Sequence, residues 1–421
     1  MTVCMLIWDY WPGREGGAQR QCRKLSHALA QNGVEVMVVT QRGHWLGRRA
    51  VSDRNTRIVR LGALAPLAAL AIGMRKWKIR WSSRSHIHYQ SAGKQRQAGP
   101  TTPFWWLARL SFMMAVTCLV LRNRRHMDLI HVHEANWIAG FASWLGAKAG
   151  LPVVCKVATW PCLSPLGPDV PFRAILRRWQ KEPHFVALYN EMAEELKKAE
   201  IEPTKIHVIP NGVTIPDNPA PGQNDFNVLC IANFSQETHL KAYDILFRGW
   251  DLVRLRNGRA RLIMVGGGDS SPWRTLARQL GCEDSISFAG SIADLDRFFI
   301  DTAVFVLPSR IEGMSNALLE SQSWGIPAVV SAIPGNRAVV DDETNGLVVP
   351  MDDARALAAA IVRLLADPAF RARLGGQARQ RMIRDFSIAS VAARIASLYR
   401  EIAAAEKTRR GGSKKAAQLP D

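Results

Sequence analysis

The sequence predicts an α/β protein of two doubly wound, parallel-sheet domains in tandem, on three observations. Short apolar runs recur with room for a helix between them: VCMLIW, VEVMVVT, DLIHVH, LPVVCKV and HFVALY, then FNVLCIA, RLIMVGG, AVFVLPS and PAVVSA. Runs apolar on both faces belong to buried parallel strands, whose crossovers are helices. A proline-rich stretch, PNGVTIPDNPAPGQND, with Pro210, Pro216, Pro219 and Pro221, separates the two sets and has linker composition. A length of 421 residues suits two domains better than one.

Val3 to Trp8 is the first strand, and DYWPGREGG is the loop after it. Gly17 to Gln31 carries Leu25, Ala28 and Leu29 at helical spacing and is stopped by Gly33. VEVMVVT follows as a second strand, which completes a βαβ unit. The remaining runs repeat the pattern, and from about residue 352 the sequence reads as helix. The expected boundaries are an N-terminal domain over 1–210 with a basic insertion at about 42–125, and a linker over 211–225. A C-terminal domain over 226–385, a helix over 386–405 and a disordered basic tail over 406–421 complete the expectation.

Composition excludes several classes. Hydrophobic residues at 48% against 22% charged supply material for two cores. The seven cysteines are scattered with no CxxC pair, so neither a disulfide framework nor a zinc site is indicated, and a reducing cytosol is expected. MTVCMLIWDYW lacks the basic n-region of a signal peptide and reads as a strand. The net charge of +19 is local, because residues 42–125 hold 17 Arg and Lys against one acid, Asp53.

Ligands of open parallel sheets bind beyond the carboxyl ends of the strands, and two such sheets facing each other would leave a cleft between domains. The first strand is followed by Gly16-Gly17 at a helix start, where backbone N–H groups can meet an anion or simply make a tight turn. No GxGxxG is present. DLIHVH ends in His133, with Glu134 and Asn136 just beyond it, and His133 is either part of a polar site or a satisfied, half-buried histidine. Lys241 precedes a helix, where the dipole disfavours a cation unless an anion binds there, or else it is a solvated lysine. After AVFVLPS, Glu312 falls in a loop and Glu320 lies about a turn inside the next helix, which Ser315 or Asn316 can cap. Two carboxylates at one helix start suit the hydroxyls of a ribose and a sugar, with backbone amides between them for a diphosphate.

With these segments in order (the GG loop, HVHEAN, VALYN, IPNGV, LKAYDIL, VGGGD, EGMSNALLE, GIPAVVSAIPGN and NGLVVP), the chain resembles the family 4 retaining glycosyltransferases. The E-x7-E pair, Glu312 and Glu320, is the most specific mark. The resemblance implies a GT-B fold, two facing Rossmann-like domains with a cleft between them. It implies a nucleotide-sugar donor bound by Gly16, Gly17, Lys241, Gly313, Met314, Ser315, Asn316 and Glu320. Glu320 would take the ribose hydroxyls and Glu312 those of the transferred sugar, and Lys241 would neutralise the diphosphate. His133 would contact the sugar near the reacting carbon, so that His133 and Glu312 are the implied catalytic residues.

It further implies front-face attack, in which the leaving phosphate takes the acceptor's proton, with no metal and no other cofactor. Three positions depart from the family pattern. Asn233 stands where a phosphate-binding arginine is usual, Thr214 where an aspartate often follows NGV, and Ala338 where an acid is usual. Arg20, Arg310 and Arg337 are the candidate substitutes for the arginine. The departures keep open an inactive GT-B scaffold or interaction protein, and a nucleotide-sugar epimerase on the same fold is a further reading. The expected acceptor is a saccharide or lipid-linked saccharide of bacterial cell-surface polysaccharide or glycoconjugate synthesis.

The basic segment suggests where that acceptor is met. LGALAPLAALAIGM (61–74), RKWKIRW with Trp77 and Trp81, and FWWLARLSFMMAVTCLVL (104–121) before RNRR combine apolar runs, tryptophans and cations. Neither run reaches the ~20 apolar residues of a membrane span. The pattern predicts a cytoplasmic enzyme held peripherally at the anionic inner face of the cytoplasmic membrane. The plain alternative is a buried domain helix with solvated charges. No nucleic-acid motif accompanies the basic patch, and no nucleic-acid partner is expected.

Overall fold

The computed structural model describes residues 1–8, 10, 16–41, 50–53, 56–61, 103–158, 170–217, 219, 224–231, 233–234, 238–292 and 294–416. The chain divides into two compact units. One comprises Met1–Ala187, Ala193–His207 and Ala393–Asp421, the other Leu188–Met192 and Val208–Ala392.

The first unit is built on β1 (Thr2–Leu6), β2 (Glu35–Gln41), β3 (Ala50–Asp53), β4 (Thr56–Leu61), β5 (Leu129–Val132), β6 (Val153–Lys156), β7 (His184–Ala187) and β8 (Ile206–Val208). They form one sheet in the order β3-β4-β2-β1-β5-β6-β7-β8. β1 pairs in parallel with β2 and β5, and the sheet continues in parallel through β6 and β7. β3 runs antiparallel at the edge. The strand order reverses at β1, which places the switch point beyond the ends of β1 and β5. The helix Gly17–Gln31 buries Cys22, Leu25, Ala28 and Leu29. The helix Trp137–Ala149 is capped by Asn136, whose side chain accepts from the Ile138 N–H at 2.9 Å, and it ends at left-handed Gly150.

The second unit is built on β9 (Asn227–Ile231), β10 (Arg261–Val265), β11 (Ile286–Gly290), β12 (Val304–Leu307), β13 (Ala328–Ser331) and β14 (Gly346–Val349). Their order is β11-β10-β9-β12-β13-β14, with every registered pair parallel. This is the doubly wound order whose switch point lies between the first and fourth strands, here β9 and β12. Tyr243, Phe247, Trp250 and Val253 of the helix Tyr243–Arg256 join Leu262, Met264 and Val306 in its core.

The structure corrects three boundaries. Residues 42–125 are not a plain insertion, since they supply β3, β4 and the helix Pro103–Asn123 to the first unit. That helix buries Ala108, Phe112, Val116 and Val120 along one face, and Phe112 meets Trp8 edge-on at 5.3 Å between centroids. The expected linker begins inside the second unit: Val213 pairs with Ser387, and a Cβ on Gly212 would come within 2.9 Å of the Ile388 Cα. The C-terminal helix, Ile388–Ala416, runs well past 405. Its buried Ile395, Tyr399 and Ile402 give the stripe that keeps it helical, and the Arg409–Glu406 pair supports the turn beyond.

RKWKIRW, the rest of the apolar run after residue 61, and the last five residues of the tail lie outside the described residues, as does the side chain of Trp105. Among the described residues no helix is long and apolar enough to cross a membrane.

Candidate active site

In the second unit β9 and β12 are hydrogen-bonded neighbours, with Val228 opposite Val304, so the loops that leave them emerge side by side. The first loop carries Lys241 and the second Glu312. The Lys241 ammonium pairs with Glu312 Oε1, and Ser309 Oγ donates to the same oxygen at 3.2 Å. Residues distant in sequence thus form a half-buried ion pair at the switch point, where the exposures are 29% for the lysine and 15% for the glutamate side chain. Ser315, not Asn316, caps the helix Asn316–Ser323, accepting from the Leu318 N–H at 3.4 Å. Glu320 is partly buried on the same helix.

The loop from Glu312 to Asn316 is held from two sides. A Cβ on Gly335 would lie 2.0 Å from the Gly313 carbonyl oxygen and 2.8 Å from that of Glu312, so only glycine permits this approach. Asn336 behind it donates to the Ser331 carbonyl at 3.0 Å, and Ser331 Oγ donates to the Ser309 carbonyl. From the other side buried Asn211 donates to the Met314 carbonyl at 3.2 Å and to Asn316 Oδ1 at 3.4 Å.

The three arginines differ. Arg310 is committed: it grips Asp244 through two bonds of 3.0 and 2.9 Å, reaches Asp352 at 2.6 Å and donates to the His239 carbonyl at 2.6 Å. These carboxylates raise its pKa above the ordinary value, with Asp244 the larger cause. It is a strut that fixes the Lys241 loop against the Glu312 loop, and its guanidinium is not available to a phosphate. Arg337 is exposed, and its guanidinium makes no hydrogen bond among the described residues. Arg20 lies on the Gly17–Gln31 helix of the first unit. Asn233 accepts from the Gly267 N–H at 3.1 Å and braces the loop after β10.

In the first unit Gly16 N-caps the helix that begins at Gly17, its N–H donating to Gln19 Oε1 at 3.0 Å, and no acid occupies the first turn. His133 follows β5. Its N–H donates to the Leu6 carbonyl at 3.3 Å, so the ladder continues one residue past β5. Val132 is opposite Cys155, which sets His133 beside Lys156 on one face of the sheet, along with His131. His131 and His133 have centroids 5.6 Å apart, and Tyr399 OH meets His131 Nδ1 at 2.8 Å.

Both imidazoles are buried, with His133 Nδ1 and His131 Nε2 unpartnered among the described residues. Burial first, and the Lys156 charge second, hold His133 well below its ordinary pKa and push His131 down to about 3. Both are therefore neutral at physiological pH. His133 is thus more enclosed than the half-buried residue the sequence suggested. Lys156 is itself buried at 2% exposure, and desolvation brings its pKa down to about 8.

Two family profiles match this chain. "Glycosyltransferase Family 4" covers residues 15–215 and "Glycosyl transferases group 1" covers residues 225–367. A D-inositol 3-phosphate glycosyltransferase of Kineococcus radiotolerans is 30% identical over 95% of this chain and 93% of its own. The chain belongs to this glycosyltransferase family. Another relative of the glycosyltransferase, from Escherichia coli, is UDP-Gal:alpha-D-GlcNAc-diphosphoundecaprenol alpha-1,3-galactosyltransferase, 25% identical over 66% of this chain and 76% of its own. Among solved structures, HepE of Anabaena in complex with UDP-glucose superposes with a TM-score of 0.66 at 16% identity, over 95% of this chain and 100% of that one. The GT-B expectation for the fold holds, with two parallel-sheet α/β units in one glycosyltransferase.

Sequence reasoning missed three parts of this glycosyltransferase's architecture. Asn211 was visible only as part of a turn, and Gly335 only as part of a motif. Lys156 falls within the apolar strand LPVVCKV, where a lysine is a signal in itself.

Proposed function

We propose that the protein is a retaining glycosyltransferase that moves a sugar from a nucleoside-diphosphate sugar to a saccharide or lipid-linked saccharide. The observation that carries this reading is the Lys241–Glu312 pair at the β9/β12 switch point, with Glu320 on the helix that follows. Such a site offers a pre-positioned cation to a diphosphate, free N–H groups at a helix start, and two carboxylates to hydroxyls. UDP-linked sugars are the first donors to test, since the Escherichia coli relative is named for UDP-Gal and HepE was solved with UDP-glucose.

In this proposal Glu320 accepts from the ribose hydroxyls and Glu312 from those of the transferred sugar. Lys241, Arg337 and the amides of Gly313 to Asn316 receive the diphosphate, and with that much positive charge in place no metal is required. The first unit takes the acceptor. In the reaction the acceptor hydroxyl oxygen bonds to the anomeric carbon as the bond to the β-phosphate oxygen breaks. The acceptor's proton passes to that phosphate oxygen, and the new bond forms on the face the phosphate leaves. Catalysis is then chiefly positioning and charge stabilisation.

The named acceptor of the Escherichia coli relative, a diphosphoundecaprenol-linked sugar, supports a lipid-linked acceptor, hence work at the inner face of a bacterial cytoplasmic membrane on cell-surface glycans. Purified protein with UDP-glucose, UDP-galactose and GDP-mannose, scored for nucleotide release and for the anomer formed, tests the reading. An α product from an α donor is expected, and a β product overturns the mechanism.

A further inference from the structure

The helix Pro103–Asn123 has one face in the core and leaves the other exposed among the described residues. Leu107 at 39%, Met114 at 61% and Leu121 at 38% exposure, with Cys118 between the last two, are spaced by seven, four and three residues. They form a single stripe about 21 Å long at 1.5 Å per residue. Trp106, 38% exposed, stands at its amino end. The helix carries no acid, and its only charges are Arg109 and Arg122.

At the carboxyl end the chain turns through Arg124, Arg125 and His126, all exposed. Arg124 and Arg125 line a groove of about 360 Å³ together with Asp128, Glu406 and Lys407. The carboxylates of that groove are already engaged, Asp128 by Lys407 at 3.0 Å and Glu406 by Arg409 at 3.0 Å. Neither Arg124 nor Arg125 has an ion-pair partner among the described residues.

We propose that this face is a membrane-docking surface: the Leu107–Leu121 stripe enters the acyl boundary of an anionic lipid leaflet, and Arg124 and Arg125 take lipid phosphate headgroups. A helix apolar on its outer side, free of acids and ended by clustered cations, has the make-up of one lying in the plane of a bilayer surface. An exposed apolar stripe of this length is not expected on a face that meets only water. Charge complementarity selects the occupant, because each engaged cation raises partition onto an anionic leaflet about fivefold. The inference deepens the proposal that the enzyme works at a membrane, and its test requires no catalysis.

The experiment is co-sedimentation of the full chain with phosphatidylcholine vesicles, with and without phosphatidylglycerol. Wild type is compared with Met114→Glu/Leu121→Glu and with Arg124→Gln/Arg125→Gln. An environment-sensitive dye on Cys118, in a Cys162→Ser background, reports insertion. The expected result is binding to the anionic vesicles with a blue shift of the dye, lowered at least tenfold by either double substitution. UDP affinity should be equal in all variants, which separates failure here from failure of the donor-site reading. Wild-type binding by both double variants, or no binding by wild type, overturns the proposal. So does a dimer in sedimentation that Met114→Glu/Leu121→Glu makes monomeric, since a second copy would then cover the face.

Discussion

Replacing Lys156 with methionine is expected to stabilise the protein while altering the site it lines. The side chain is 2% exposed at the end of β6 and forms no ion pair among the described residues, and burial desolvates its charge. That cost appears as a pKa lowered from 10.5 to about 8. At 1.36 kcal/mol per pKa unit it amounts to about 3 kcal/mol, which a methionine of similar length would not incur.

The pH dependence fixes the sign. The folded pKa is depressed, so between pH 8 and 10.5 the unfolded chain holds more protons and wild-type stability rises through that window. Lys156→Met should therefore exceed wild type by about 3 kcal/mol in urea melts at pH 7, with the gap closing toward pH 10.5. Removing this cation should also raise the His133 pKa toward the ordinary imidazole value, visible in histidine NMR titrations. A variant less stable than wild type at pH 7, with no change of the gap with pH, would refute the account and require a counter-ion beside Lys156.

Gly335→Ala should raise the donor KM at least tenfold with little loss of fold, because the new Cβ displaces the Glu312–Gly313 backbone; steady-state kinetics beside thermal melts separate the two. Glu320→Ala should weaken nucleotide binding by about 1.5–3 kcal/mol, measured by calorimetry, and unchanged affinity would remove its ribose role. With its folded pKa pushed down to about 3, His131 gives stability that is complete above about pH 6.5 and lost as pH falls from there toward 3. Tyr399→Phe, which leaves the buried His131 Nδ1 without its hydrogen-bond partner, should lower stability at pH 7 in circular-dichroism melts.

All nine apolar runs identified in the sequence are strands in the structure, because a buried parallel strand needs little besides continuous β-branched and aliphatic residues. The strands that escaped notice have weaker patterns. TRIVRL alternates arginine with apolar residues, AVSD is a short edge strand, IHV is brief, and ISFAG and GLVV are short runs that end or begin in glycine.

Lys241 and Glu312 were legible because each follows a strong strand, and the sheet order brings those strands together. Arg310 could not be judged from sequence, since Asp244 and Asp352, the groups that occupy it, lie on separate segments. The C-terminal helix was cut short for a similar reason. The polar composition of EKTRRGG hides a stripe that depends on where Tyr399 and Ile402 land in the first unit.

The central claim is that a donor diphosphate meets the Lys241 ammonium at the β9/β12 switch point. Calorimetric titration of UDP and of uridine into wild type and Lys241→Met tests it most directly. A charged hydrogen bond is worth about 1.5–3 kcal/mol, so the substitution should lower UDP affinity about tenfold to a hundredfold and leave uridine affinity unchanged. Equal UDP affinity in the two proteins, or an equal loss for uridine, would contradict it.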